Sequence, residues 1–124
     1  MTRCLLIEDS DTMRAVVRKI LEDLNIAVAE ETDIEKAVEI CASDDAPDLV
    51  FLDWDLPELG GPQFIRSLRK AGEFRPRVVL CALENNQEQF KIARAAGVAA
   101  HILKPLDRQI VAETIAKLGV RAAA

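Results

Sequence analysis

Five short apolar runs constrain this chain more than any other feature. Each stops at a polar residue, and each is followed by a segment with helical periodicity. The runs are Arg3–Glu8, Ile26–Glu30, Leu49–Leu52, Arg77–Leu83 and Val98–Leu103. They are apolar throughout rather than alternating, which is the pattern of strands buried on both faces. None approaches the 18 or so apolar residues that a membrane span requires. Between them, Asp11–Leu24 places Met13, Val16, Val17, Ile20, Leu21 and Leu24 on one helical stripe. Ser10 or Asp11 caps its start, and Asn25 suits the left-handed position at its end. Thr32 or Asp33 caps a second helix carrying Ile34, Ala37, Val38 and Cys41. Gly60-Gly61-Pro62 opens a third helix, which Gly72 ends. Asn85 or Asn86 starts a fourth, stopped by Gly97, and Asp107 caps a last one, ended by Gly119. Five strand–helix pairs in strict alternation predict an open α/β fold with a parallel sheet, helices on both faces and right-handed crossovers.

At 124 residues the chain is the size of one domain. Hydrophobic residues make up 50% and charged residues 30%, the balance of an ordinary globule. The net charge of −5 argues against a wide nucleic-acid footprint, which needs clustered Lys and Arg, so direct DNA binding is not expected. Nothing at the start reads as a signal peptide, and a cytoplasmic location with no membrane association is expected. Cys4, Cys41 and Cys81 are odd in number and lack CxxC spacing, so they read as small buried thiols rather than a disulfide framework, a zinc site or a redox sensor. The single histidine, His101, excludes chemistry that needs a histidine pair.

In parallel α/β sheets, ligands bind outside the carboxyl ends of the strands. Those ends carry Glu8 and Asp9 in the first run, Asp53 in the third, Ala82 and Leu83 in the fourth and Lys104 after the fifth. Three carboxylates at one rim repel one another, and a hard divalent cation relieves this. Oxygen ligands with room for water suit Mg²⁺, with Mn²⁺ as the substitute. A carboxylate is also a competent nucleophile toward phosphorus, and Lys104 can neutralise the incoming charge. The bland alternative is that the acids only cap the helices that follow, but capping does not account for Lys104 at the same rim.

The combination Glu8-Asp9, Asp53-Trp54-Asp55-Leu56-Pro57 with Gly60-Gly61, and Lys104-Pro105 resembles the receiver domain of bacterial two-component response regulators. Ser10-Asp11-Thr12-Met13-Arg14 adds to the match. The stand-alone chemotaxis type is the most similar. The resemblance covers essentially the whole chain and implies a flavodoxin-like doubly wound (βα)5 fold with strand order 2-1-3-4-5. It places the receiver at residues 1–119, followed by a short tail at 120–124 and no output domain. Asp53 is then the phosphoacceptor. Glu8, Asp9, Asp53 and the backbone carbonyl of Asp55 hold Mg²⁺, Lys104 contacts the phosphoryl group, and Lys104–Pro105 is a cis peptide. The phosphoryl group comes from a phosphohistidine on a sensor histidine kinase or histidine phosphotransfer protein, docked beside the first helix. The chain accepts and loses this group rather than turning over as an enzyme. Output passes to a downstream protein through the fourth helix, fifth strand and fifth helix, near Phe90, Lys91, Arg94, His101, Arg108 and Lys117. That mildly basic surface reads as ordinary solvated charge ahead of a patch for a nucleotide messenger or acidic partner.

Two positions depart from the family pattern. Ala82 stands where Thr or Ser is usual, so no hydroxyl is present to bond a phosphoryl oxygen, and weakened or rewired switching is expected. His101 stands where a Tyr or Phe swings inward on activation; it can rotate, and an unperturbed imidazole is able to change charge near neutral pH. Trp54 is expected at a solvent-facing rim. Asp55 and Glu84 match variable positions that tune dephosphorylation. Two competing readings remain: a degenerate module that ignores phosphate, favoured by Ala82 and His101, and a DxD-type phosphatase using Asp53 and Asp55. In the latter family, however, the motif normally ends the first strand.

Overall fold

The computed structural model describes residues 2–56, 60–72 and 74–119. Pro57 and the tail 120–124 lie outside the described residues. Ten elements alternate along the chain: β1 (Arg3–Ile7), α1 (Asp11–Asp23), β2 (Ala27–Glu30), α2 (Ile34–Ala42), β3 (Leu49–Asp53), α3 (Gly60–Lys70), β4 (Arg77–Ala82), α4 (Gln87–Ala95), β5 (Ala100–Leu103) and α5 (Arg108–Lys117). The strands form one parallel sheet in the order β2-β1-β3-β4-β5. No helix among the described residues is long and apolar enough to cross a membrane.

The sheet divides two apolar layers, because successive strand residues face opposite sides. One face buries Leu5, Ile7, Val50, Leu52, Val78, Leu80 and Ala82 against α2, α3 and α4. The other buries Cys4, Leu6, Leu49, Phe51, Val79 and Cys81 against α1 and α5. β3 lies at the centre and is buried along its whole length. The edge strands β2 and β5 differ from the expectation of strands buried on both faces. Each has one long side with no partner strand, and both are largely half-buried or exposed.

Side-chain caps fix where the helices start. The expectation left each of three N-caps open between two neighbours. Ser10 accepts from the Met13 amide, Asp33 from the amides of Glu35 and Lys36, and Asn86 from that of Gln89. Asp107 caps α5 in the same way. At the end of α1, Asn25 takes φ 62°. The Ile26 amide there reaches back to the Leu21 carbonyl, and the Asn25 amide reaches the Glu22 carbonyl. This Schellman pattern recurs at Gly97 (φ 111°), where the Val98 amide bonds the Ala93 carbonyl. Val98 is thus committed to closing α4, so β5 starts at Ala100 rather than at Val98.

Candidate functional site

The carboxyl ends of β1, β3, β4 and β5 meet at one rim, and β1 and β4 end there on bonds to side chains. Glu8 leaves the β1 ladder, its carbonyl accepting from Arg14 Nη1 at 2.9 Å. β3 runs one residue further than its apolar run, to Asp53, which pairs with Cys81. β4 ends one residue early, because the Leu83 amide is diverted to Asp55 Oδ2 at 2.9 Å.

Asp53 sits at the centre. It is only 7% exposed, and its Oδ1 accepts from the Lys104 ammonium at 2.8 Å and from the Asp55 amide at 2.9 Å. Lys104 is carried on the loop after β5, where its own amide bonds the Ala82 carbonyl at 2.8 Å and its peptide bond to Pro105 is cis. Its ammonium also lies 3.6 Å from Asp55 Oδ2. Burial works against this ammonium. The bond to Asp53, together with the charges of Asp53, Glu8 and Asp55, outweighs burial and holds its pKa above the ordinary lysine value.

Glu8 is 5% exposed, and its Oε2 accepts from the Ser10 amide at 3.1 Å. Burial pushes its carboxyl above the usual range, and neighbouring Asp53 adds to the push. The Ser10 amide and the Lys104 charge pull in the other direction. Asp9 is exposed at the lip. Among the described residues, no three His, Cys, Asp or Glu side chains are drawn together tightly enough to enclose a metal ion. The donor chemistry nonetheless fits a hard cation that keeps part of its water. The donors are all oxygen, and two buried carboxylates crowd a single ammonium.

The remaining expected positions fall elsewhere. Ala82 is buried in the apolar layer against α4 and offers the site only its carbonyl. His101 faces α4, stacked on Phe90 with ring centroids 4.1 Å apart and Nδ1 3.3 Å from Arg94 Nη2. Phe90 is therefore core rather than output surface. Glu84 is exposed. Trp54 does not face solvent at the rim as expected. It is half-buried over Gly61 between α3 and α4, and its Nε1 donates to Gln89 Oε1 at 3.2 Å. The small glycine surface and the apolar groove beyond it draw the indole in.

Two contributors, Arg14 and Gln89, escape the sequence reading, and a third, Asp55, does more than it assigns. Arg14 was quoted only as part of a motif, yet it ties the carbonyls of Glu8 and Asp9 to Glu30 at the end of β2, 2.9 Å from Arg14 Nε. The Asp55 side chain, expected only at a position that tunes dephosphorylation, bridges the Leu83 amide and the Lys104 ammonium. Gln89 carried no signal beyond its place in the first turn of α4.

The response regulator receiver domain family model matches residues 4–116. A chemotaxis protein CheY of Pseudomonas aeruginosa is 28% identical over 118 residues, covering 94% of each chain. Protein CcdB of Bacillus subtilis is 32% identical over 121 residues, covering 95% of this chain and 98% of its own. Among solved structures, Vibrio cholerae chemotaxis protein CheY4 superposes with a TM-score of 0.81 at 21% identity, over 94% of this chain and 98% of that one. The receiver domain of a Pseudomonas aeruginosa sensor histidine kinase, described with a magnesium ion in its active-site cleft, gives 0.78 at 22% identity, over 95% and 98%.

Proposed function

This chain belongs to the response regulator receiver domain family, and from that premise we propose that Asp53 accepts a phosphoryl group from a phosphohistidine partner and that the change is read by other proteins. The observation that carries this reading is the buried Asp53–Lys104 pair at 2.8 Å, with Glu8 beside it. An ion pair this buried is a poor source of stability, because desolvation offsets most of its attraction. Three acids around one ammonium are better accounted for by an incoming charge than by folding.

Glu8, Asp9, Asp53 and the Asp55 carbonyl would hold Mg²⁺. When bound, the ion neutralises the acids and the phosphoryl oxygens. Both of Asp53's hydrogen bonds to the Asp55 amide and Lys104 fall on Oδ1, so Oδ2 is the nucleophile. As Oδ2 bonds to phosphorus, the P–N bond to the donor imidazole breaks and the imidazole leaves with its electron pair. Lys104 then follows the charge from the carboxylate to the phosphoryl group. Arg14 and the Ser10 amide keep the β1 end in place while this occurs. The family role is that of a signalling module loaded by histidine kinases or phosphotransfer proteins, not of an enzyme with turnover of its own.

Incubation with Mg²⁺ and acetyl phosphate, followed by intact-mass measurement, tests this. A gain of one phosphoryl group in wild type, absent in Asp53→Ala and absent without Mg²⁺, is the expected result. No gain in wild type would favour the second reading, a phosphate-independent binding module. Ala82, buried and without a hydroxyl, is the observation on that side.

A further inference from the structure

The usual hydroxyl at the end of β4 is missing, so a change at Asp53 needs another route to the face formed by α4 and β5. The structure offers one that starts at the next residue. Trp54 follows Asp53 directly, and its amide bonds the Cys81 carbonyl at 2.9 Å. Its indole lies so close over Gly61 that a Cβ there would sit 2.3 Å from Cε3. The indole Nε1 donates to Gln89 Oε1 at 3.2 Å. Gln89 stands in the first turn of α4, its amide held by the Asn86 cap at 3.0 Å. The next residue, Phe90, carries the stack on His101 at 4.1 Å. Beyond the indole lies a groove of about 270 Å³ between α3 and α4, lined by Pro62, Ile65, Ile92 and Ala93 among others, so the ring and the helix have room to shift.

Asp53 Oδ1 carries the bonds to the Asp55 amide and to Lys104, which hold the 53–55 backbone. Loading the carboxylate redistributes those bonds and moves the base of the indole. We propose that the Trp54–Gln89 hydrogen bond tethers α4 in its resting position and is released when Asp53 is occupied, taking over the coupling that Ala82 cannot provide. This rests on the phosphoacceptor reading above. One neutral hydrogen bond is enough to bias two helix positions by about fivefold.

The test is amide exchange of residues 86–96 in the full chain, with and without Mg²⁺ and beryllofluoride, and with ¹⁹F NMR to register bound beryllofluoride independently. Wild type is expected to exchange faster in this segment when beryllofluoride is bound. Gln89→Leu should exchange faster already without it, by about fivefold, and gain little more on binding. Gln89→Glu, which keeps an acceptor for the indole, should behave as wild type. Trp54→Phe, which keeps a ring over Gly61 but loses the donor, should match Gln89→Leu and guards against a variant that merely misfolds. A bond with only a structural role would leave the beryllofluoride-dependent difference intact in Gln89→Leu. That result, with the ¹⁹F signal present, overturns the tether. If wild type shows no bound beryllofluoride, the phosphoacceptor reading fails instead. The ligand-free comparison of wild type with Gln89→Leu then decides whether the tether holds α4.

Discussion

Among the described residues, Glu8 and Asp53 are the two carboxylates that folding takes out of water, and Lys104 is the only cation in contact with Asp53. Neutralising Glu8 should therefore help the metal-free fold. Glu8→Gln keeps the shape and can keep an acceptor for the Ser10 amide, and it is expected to gain about 1 kcal/mol in urea unfolding without metal, while Mg²⁺ binding weakens. A loss of stability would mean that the carboxylate is better satisfied than its surroundings imply. His101 gives a pH dependence of definite sign. Burial, then the Arg94 charge, holds its pKa below 6.5. The unfolded chain takes up the proton first as pH falls, so this contribution is complete above the ordinary histidine range and is lost as pH drops through it. Urea midpoints at about pH 7.5 and about pH 5.5 should differ less in His101→Phe, which keeps the stack on Phe90, than in wild type.

At the scale of elements, α3 and α4 are set by what Trp54 does between them. Gly61 is needed for its missing Cβ rather than for its backbone, since of the pair Gly60-Gly61 it is Gly60 that has the positive φ (67°). Gly61→Ala must push the indole aside, an overpacking cost of about 1–3 kcal/mol. Chemical unfolding checks the cost, and a shifted emission from Trp54, the sole tryptophan, checks the cause. The same region marks where sequence reading stops. Strand and helix existence, the sheet order and three of the strand-end groups follow from apolar runs, caps and the family resemblance. They depend on near neighbours in sequence or on one shared rim. Trp54 was misplaced because a single aromatic after a strand carries no periodicity. Its position depends on a glycine seven residues on and a glutamine 35 residues on. Gln89 and the Arg14–Glu30 pair were invisible for the same reason: polar helix residues look solvated until the fold supplies their partners.

For the whole molecule, the three thiols share one fate. Cys4 and Cys81 lie in the layer against α1 and α5, and Cys41 lies in the other. Burial pushes Cys4 up to about 12 and Cys41 to about 11, and it raises Cys81 as well. The folded state thus holds these protons more tightly than the unfolded chain, whose thiols titrate near 9.0. Stability from this source is full below that value and falls as pH rises above it. The thiols should resist a disulfide reagent in native buffer and react together in urea. A single fast thiol in native buffer would point to local opening at that cysteine. The fold has a further consequence through the order in which its parts emerge. Glu8 follows β1 and Asp53 ends β3, its neighbour in the sheet, while Lys104 follows β5, 51 residues beyond Asp53 and on the far side of β4. During synthesis the acids leave the ribosome long before their counter-charge, so a nascent chain holds them in water with nothing to pull them inward. The site closes only when the fifth strand docks, which makes the Asp53–Lys104 pair a report on a finished sheet.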